Sequence, residues 1–194
     1  VIDQINHALG LRFFRVDKDQ GFILNGKSYP LYGLNRMADF PKKGTAINEQ
    51  DHERDIQLIL ELGATGVRLG HQQRDEYVYR RADESGLVIW AEVPLINRIN
   101  TNQEFSDNVK QQALELVRQN YNHSAIMFWG LFNEITLKPG PDPRGLVKEL
   151  NDLVKKEDPN RLTTAAVAAS GEKALQDPLA TTTDITSFNR YYGW

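Results

Sequence analysis

An amide and a carboxyl side chain follow the longest apolar segment of the sequence. Asn133 and Glu134 come directly after residues 126–132, which include Trp129. Burial of a carboxyl group among aromatic residues favours its protonated form, which suits a general acid. The neighbouring amide could bond a hydroxyl group of a substrate. The structural alternative is a surface glutamate that pairs with an arginine, and the spacing alone leaves both interpretations open.

Other short apolar segments also end in polar, charged or aromatic residues. These residues are Asn35, Arg36, Arg68, His71, Glu92, Asn189, Tyr191 and Tyr192. If the segments are barrel strands, their carboxyl ends meet at one rim, where the catalytic groups of such folds lie. Arg68 either holds a catalytic carboxylate in its ionised form or is a structural ion-pair partner. Glu92 is either a network carboxylate or an acceptor for a sugar hydroxyl. Trp194 lies on a loop, where it could form an aromatic platform for a sugar ring.

The composition excludes several kinds of site and partner. The 194 residues include no cysteine, so disulfides, thiolate metal sites and cysteine nucleophiles are excluded. The sequence contains no H-E-x-x-H metal motif, no G-x-S-x-G nucleophile motif and no glycine-rich phosphate turn after the first strand, and we predict neither a metal nor a cofactor. With 23 basic and 26 acidic residues and no apolar run near the 20 residues that a bilayer needs, we predict no nucleic-acid or membrane partner.

Short apolar segments alternate with amphipathic segments along the chain. The predicted strands begin at residues 29, 65, 87, 126, 162 and 185, about 31 residues apart on average. This alternation favours right-handed βαβ units and a parallel sheet, and eight such units would need about 250 residues. We therefore predict an α/β fold, a (β/α)8 TIM barrel present as roughly its first six βα units. An open, doubly wound sheet of six strands is the alternative, but it lacks its typical phosphate turn.

The first residues do not follow this rhythm. Two β segments, residues 11–16 and 21–27, precede the first barrel strand, and Asn25-Gly26 is a strong signal for a two-residue turn. We predict that residues 1–20 are the tail of a preceding β-sandwich domain. Residues 21–194 are then the N-terminal three-quarters of the barrel, with a hairpin closing its N-terminal face. Because the chain starts at Val1 without a signal segment, we expect it to be cut from a longer protein, and its compartment stays open.

Seven segments of the chain carry a resemblance to a known family. They are Gly21-Phe22-Ile23-Leu24-Asn25-Gly26-Lys27, Gly33-Leu34-Asn35-Arg36, Gly63-Ala64-Thr65-Gly66-Val67-Arg68-Leu69-Gly70-His71, Trp90-Ala91-Glu92-Val93-Pro94, Gln119-Asn120-Tyr121-Asn122-His123, Trp129-Gly130-Leu131-Phe132-Asn133-Glu134 and Phe188-Asn189-Arg190-Tyr191-Tyr192-Gly193-Trp194. In this order they resemble glycoside hydrolase family 2 over about residues 10–194, and most of all the central barrel of a β-galactosidase. The resemblance implies a retaining exo-glycosidase that acts on a terminal β-galactoside, with a (β/α)8 barrel flanked by β-sandwich domains.

The resemblance also implies catalytic roles for residues at the rim. Glu134 matches the acid/base, Asn133 matches the residue that bonds the sugar 2-hydroxyl, and Arg68 matches the arginine that orients the nucleophile. Tyr191 matches the tyrosine that bonds the nucleophile, with Tyr192 as the alternative register. The nucleophile is a glutamate at the end of strand seven, which this chain does not contain. The chain is therefore expected to be inactive alone.

A second group of residues is assigned to sugar binding: His71, Glu92, Asn35, Arg36 and Trp194. Two positions depart from the pattern of the family. The family often has His after Asn-Arg, where this chain has Met37, and it usually has Ser-His-Tyr-Pro where this chain has Gly70-His71-Gln72-Gln73. Both differences concern the sugar pocket, so they affect the identity of the sugar more than the reaction.

Several alternatives stay open at this point. A β-glucuronidase or a β-mannosidase of the same family is the nearest alternative. The β-glucuronidase stays open because residues that would recognise a uronic carboxylate would lie beyond the C-terminus. A non-catalytic carbohydrate-binding barrel and a scaffold that assembles with a second chain are the others. The intact Asn133, Glu134 and Arg68 favour an enzyme. The open edge at strands one and six predicts exposed apolar surface and self-association.

Overall fold

A computed structural model describes residues 2–168 and 176–191 of the chain. The N-terminal sheet contains β1 (Phe14–Asp17), β2 (Gly21–Leu24) and β3 (Lys27–Ser28). The larger sheet contains β4 (Gly33–Arg36), β5 (Gly66–Leu69), β6 (Val88–Glu92), β7 (Ile126–Asn133), β8 (Leu162–Val167) and β9 (Ile185–Phe188). The helices are α1 (Glu49–Glu61), α2 (Glu76–Ser85), α3 (Gln103–Asn120) and α4 (Arg144–Glu157), and a 3₁₀ helix spans Pro178–Thr181.

The six strands of the larger sheet are parallel and lie in chain order. Each strand pairs with the next, and the register places Asn35 opposite Arg68 and Arg68 opposite Trp90. The four α-helices connect successive strands from β4 to β8. This is the arrangement predicted for the first six units of a (β/α)8 barrel, and it brings the carboxyl ends of all six strands to one side.

The first barrel strand begins later than predicted. Tyr29 still belongs to the small sheet, because its N–H donates to the carbonyl oxygen of Phe22, and Pro30 has no N–H to continue that pairing. The barrel strand β4 therefore begins only at Gly33. The predicted turn does form between β2 and β3, where Asn25 and Gly26 have φ values of 50° and 80°. Positive φ at both positions is what a two-residue hairpin turn of this type requires.

The N-terminal sheet packs against the amino-terminal part of the barrel strands. The ring of Phe128 in β7 lies 6.2 Å from the ring of Phe14 and 5.9 Å from that of Phe22, and Val88 and Met127 complete the cluster. The strand β1 pairs with β2, so residues 14–17 belong to the same sheet as the hairpin. The assignment of residues 1–20 to a preceding β-sandwich domain stays a prediction.

The main hydrophobic core lies between the parallel sheet and the helices. Leu69, Ile89 and Ala91 alternate along β5 and β6 with residues that face the barrel interior, and they pack with fully buried helix residues such as Tyr79 and Leu150. None of the helices in the described ranges is long and apolar enough to cross a membrane.

The two outer strands of the parallel sheet are β4 and β9. Leu31 and Leu34, at the β4 side, are 41% and 37% exposed. Unpaired backbone groups beside exposed leucines are a surface on which another strand can add. Self-association through this edge stays a prediction.

A buried ion pair lies at the amino-terminal end of the parallel strands, opposite to the end where their carboxyl termini meet. Asp158 follows α4, and its carboxylate accepts hydrogen bonds from the Arg161 guanidinium at 2.6 Å and from the indole N–H of Trp129 at 3.0 Å. Arg161 also donates to the carbonyl oxygens of Tyr121, His123 and Ile126. Burial alone would raise the pKa of Asp158, but the hydrogen bonds from Arg161 and Trp129 outweigh it, so this pKa lies below its ordinary value.

Replacing Asp158 by Asn should lower the free energy of unfolding by about 3–5 kcal/mol at neutral pH, because Arg161 is left buried without its counter-charge. A lowered carboxyl pKa adds stability above the ordinary pKa, and this stability is lost as pH falls through the folded value. The difference between wild type and Asp158→Asn should therefore shrink below about pH 4. Urea unfolding of both proteins across this range measures it. The exposed Asp142, paired with Arg144, gives the control Asp142→Asn, for which we expect no measurable change. Equal effects of the two substitutions would contradict this account.

Candidate active site

Polar side chains at the ends of four strands converge at the carboxyl-terminal rim of the parallel sheet. Arg68 comes from β5, Glu92 from β6 and Asn133 from β7, and Asn189 directly follows β9. Hydrogen bonds link all four side chains to one another. The convergence follows from the parallel register, which places equivalent strand ends side by side.

The guanidinium group of Arg68 is the centre of this cluster. Its Nε donates to Glu92 Oε1 at 2.5 Å, its Nη2 to Asn133 Oδ1 at 2.8 Å and its Nη1 to Asn189 Oδ1 at 3.2 Å. The guanidinium also lies over the ring of Trp90, 4.7 Å from the ring centroid. One face of the group and all three of its nitrogen atoms thus have partners, and the Arg68 side chain is only 13% exposed.

Glu92 connects Arg68 to His71. Its side chain is 1% exposed, and its second carboxylate oxygen, Oε2, lies 2.7 Å from Nδ1 of His71. A buried carboxylate needs such partners, because an unpaired charge in this position would be strongly destabilising. Glu92 therefore holds an arginine and an imidazole in a defined relation at the rim.

Asn189 joins Glu134 to the cluster. Its amide nitrogen donates to Asn133 Oδ1 and to Glu134 Oε1, both at 2.9 Å. The sequence analysis placed Asn189 at a strand end but gave it no role. The signal that could have found it is its position directly after β9, beside the rim residues of the other strands.

The backbone of Glu134 has an unusual conformation. Its φ is 53°, in the left-handed region that few residues other than glycine occupy. The Glu134 N–H donates to the carbonyl oxygen of Ala166 in the next strand at 2.9 Å, and the Glu134 carbonyl accepts from Leu137. This turn ends β7 and leaves the half-buried carboxyl group of Glu134 at the rim, in contact with Asn189. Backbone strain of this kind is concentrated at functional sites.

A missing side chain makes room for the cluster. Gly130 lies in β7, and a Cβ atom at this position would collide with Nε1 of Trp90 and with Cγ of Glu92. Only glycine therefore lets the Trp90 ring and the Glu92 side chain pack against β7 in this way. Because Trp90 supports Arg68 and Glu92 binds it, the space at Gly130 is a condition for the position of Arg68.

The two site residues predicted on the first barrel strand, Asn35 and Arg36, face opposite sides of the sheet. Asn35 lines a cavity of about 360 Å³ on the inner side of the sheet, together with Arg68, Asn189 and Tyr191. Arg36 is 8% exposed, and its guanidinium turns to α1, where it bonds Asp55 at 2.9 Å and His52 at 2.9 Å. Successive residues of a strand face opposite sides, so Asn35 and Arg36 cannot both face the barrel interior. The structure brings Asn35 to the cavity and does not bring Arg36 there.

The remaining predicted residues lie near the C-terminus. Tyr191 is 61% exposed and lines the cavity. Tyr192 and Trp194 lie outside the described residues, so the roles predicted for them stay predictions. Within residues 2–168 and 176–191, no group of three or more His, Asp or Glu side chains is arranged to hold a metal ion.

The comparisons with known proteins agree on a family. A family model described as glycosyl hydrolases family 2, TIM barrel domain, matches residues 14–194. A β-glucuronidase of Bacteroides fragilis is 42% identical over 200 residues, which cover 100% of this chain and 28% of that protein. A β-galactosidase of Thermoanaerobacterium thermosulfurigenes is 28% identical over 176 residues, which cover 90% of this chain and 24% of that protein.

A solved structure gives the same result. Bacteroides uniformis β-glucuronidase 2, covalently bound to cyclophellitol-6-carboxylate aziridine, is 34% identical to this chain with a TM-score of 0.91, and the match covers 99% of this chain and 24% of that one. The chain thus spans about a quarter of the length of these relatives. Of the two relatives compared by sequence, the β-glucuronidase is more similar to this chain than the β-galactosidase is, and a solved structure of a putative β-galactosidase from Bacteroides fragilis is 38% identical with a TM-score of 0.88, the match covering 96% of this chain and 27% of that one. Since the family model matches nearly the whole chain and the six parallel strands form the predicted partial barrel, the chain belongs to glycosyl hydrolase family 2 and contains part of its TIM barrel domain.

Proposed function

We propose that this chain is the acid/base-carrying part of a retaining β-glucuronidase. The observation that carries the proposal is the position of Glu134, whose carboxylate joins the hydrogen-bonded cluster of Asn189, Asn133 and Arg68 at the barrel rim. A carboxyl group in this position can reach a substrate that enters from the carboxyl ends of the strands. A pure binding module would have no need of an acid linked through Asn189 to an arginine in this way.

The hydrogen bonds of Glu134 define how it would act. Asn189 donates to Oε1, which therefore has an N–H partner already, and the acidic proton belongs on Oε2. In the first step Glu134 gives this proton to the glycosidic oxygen while the nucleophile forms a bond to the anomeric carbon and the leaving group departs. In the second step Glu134 takes a proton from the water that displaces the nucleophile.

The nucleophile is expected from the strand that would follow β9. Retaining glycosidases hold their two carboxyl groups about 5–5.5 Å apart. A strand beside β9 would bring a carboxylate close to Asn189 and Tyr191, and the positive charge of Arg68 would favour its ionised form. Because this strand is not in the 194 residues, the isolated chain is proposed to be inactive.

The relatives support a glucuronide as the substrate rather than a galactoside. The β-glucuronidase of Bacteroides fragilis is 42% identical to this chain, whereas the β-galactosidase of Thermoanaerobacterium thermosulfurigenes is 28% identical. The name of the β-galactosidase makes that activity the second candidate. No observation favours a β-mannosidase.

The acid/base role of Glu134 predicts a dependence on the leaving group. In the gene product that contains this chain, Glu134→Gln should lower kcat for an alkyl glucuronide by about 10²–10⁴-fold. The substitution should lower the rate of the first chemical step much less when the leaving group is an acidic phenol, because such a group departs without protonation. Steady-state and burst kinetics with the two substrates measure the difference. The control is Glu157→Gln on α4, whose partner Arg118 is an exposed residue of α3, and we expect unchanged kinetics. Full activity of Glu134→Gln on the alkyl glucuronide would refute the role.

The choice of sugar can be tested with covalent probes. Cyclophellitol-6-carboxylate aziridine, the compound bound by the Bacteroides uniformis enzyme, should label the gene product once, at a glutamate outside the 194 residues. A matched aziridine of galacto configuration without the carboxylate should not label it. Intact mass and peptide mapping read both results, and the isolated 194-residue chain should react with neither. Labelling by the galacto probe alone would support the β-galactosidase instead.

The space at Gly130 predicts a loss of activity from a single methyl group. Gly130→Ala should displace Trp90 or Glu92 and with them Arg68. A displacement of about 1 Å should lower kcat/KM by about 10²-fold. The control is Gly145→Ala in α4, where a Cβ atom meets nothing within 4 Å, and we expect unchanged kcat/KM. Measuring kcat/KM and Tm of both variants tests the argument, which fails if Gly130→Ala is as active as Gly145→Ala.

A further inference from the structure

A buried arginine outside the cluster connects the ends of two barrel strands. Arg74 lies in the loop between β5 and α2 and is 6% exposed. Its Nη2 donates to the carbonyl oxygen of Arg36, the last residue of β4, at 2.9 Å, and to the carbonyl oxygen of Gly70, the residue after β5. The backbone N–H of Arg74 donates to the hydroxyl group of the fully buried Tyr79 at 3.2 Å. One guanidinium nitrogen thus ties two adjacent strand ends at the rim.

The surroundings of Arg74 balance its charge only in part, because the carboxylates of Glu92 and Asp39 act on it without forming an ion pair with it. No carboxylate pairs with it among the described residues, and its Nε and Nη1 are buried without a hydrogen-bond partner there. The nearby guanidinium of Arg36 carries the same charge. Burial, aided by Arg36, lowers the pKa of Arg74 to about 10. By contrast, the buried Arg161 has Asp158 and three carbonyl oxygens as acceptors. A buried cation without a counter-charge reduces stability.

One of the two carbonyl groups that Arg74 binds, that of Gly70, leads directly into the candidate active site. Gly70 precedes His71, whose ring contacts Glu92, and Glu92 binds Arg68. Arg74 is therefore three contacts away from the central guanidinium. A side chain that fits its surroundings poorly is expected where function, and not folding, retains it.

We propose, on the basis of the proposed function, that Arg74 is a positioning residue that holds the Gly70 carbonyl and thereby the imidazole of His71 for sugar binding, at a cost to stability. Without Arg74, the two strand ends lose their common donor and His71 loses its fixed position relative to Glu92. A contact made to the sugar in both ground and transition states acts mainly on KM. The substitution should therefore change KM more than kcat.

The test compares Arg74→Met and Arg74→Lys in the gene product that contains this chain, with an aryl glucuronide as substrate. Methionine keeps an apolar side chain but removes every donor. We expect kcat/KM to fall by about 10–100-fold, chiefly through KM, while Tm stays the same or rises by about 2–4 °C. A lysine ammonium group can donate to both carbonyl oxygens, so Arg74→Lys should recover most of kcat/KM.

The matched control is Arg81→Met. Arg81 lies on α2 and is bonded to Glu53 and Glu84, away from the rim. Its loss should lower Tm and leave kcat/KM unchanged. A lower Tm with unchanged kcat/KM for Arg74→Met would make Arg74 a structural residue only and overturn the proposal, as would a loss of activity that lysine does not recover. If the parent enzyme hydrolyses the glucuronide and the Arg74→Met variant is fully active, the role of Arg74 is refuted and the proposed function is not. A parent enzyme that hydrolyses no glucuronide refutes the proposed function, and this role falls with it.

Discussion

The pairing of Arg68 with Glu92 is the interaction on which the site depends. Both side chains are largely withdrawn from water, so each charge needs the other to be tolerated. The pair joins β5 to β6, and the remaining guanidinium nitrogens extend it to Asn133 and Asn189. Four strand ends are thereby held at fixed distances. Asn189 also donates to the Glu134 carboxyl group and so fixes its position.

The two ends of the sheet carry different kinds of buried charge. At the amino-terminal side, Arg161 and Asp158 satisfy each other and several backbone carbonyl groups, which closes the fold beneath the strands. At the carboxyl-terminal side, Arg68 and Glu92 are also paired, but Arg74 binds carbonyl oxygens without an ion-pair partner, and Glu134 has a strained backbone. In barrels of this type, stability is associated with the first side and chemistry with the second. Costly local arrangements are therefore found where substrate would bind.

The fold could be predicted well from the sequence, because alternating apolar and amphipathic segments are typical of βα units. The sequence also placed Arg68, Glu92, Asn133 and Glu134 at strand ends, and strand ends of a parallel sheet must meet. It was less informative at the first strand, where Tyr29 was predicted to begin the barrel strand but pairs with the small sheet. The sequence motifs are shared by the whole family and do not distinguish the sugar, and of the two relatives compared by sequence the β-glucuronidase is the more similar one.

By itself, then, the sequence determined the parallel sheet, its rim and the acid that stands there, since these follow from periodicity and order along the chain. Only the tertiary structure decided which rim residues touch. It turned Arg36 towards α1, brought Asn189 to Glu134 and bound Arg74 to the carbonyl oxygen of Gly70. The physical reason is that side-chain direction depends on the register, twist and packing of neighbouring strands. The rim contact between Arg68 and Asn189 joins residues 121 positions apart, and no local pattern in the sequence indicates it.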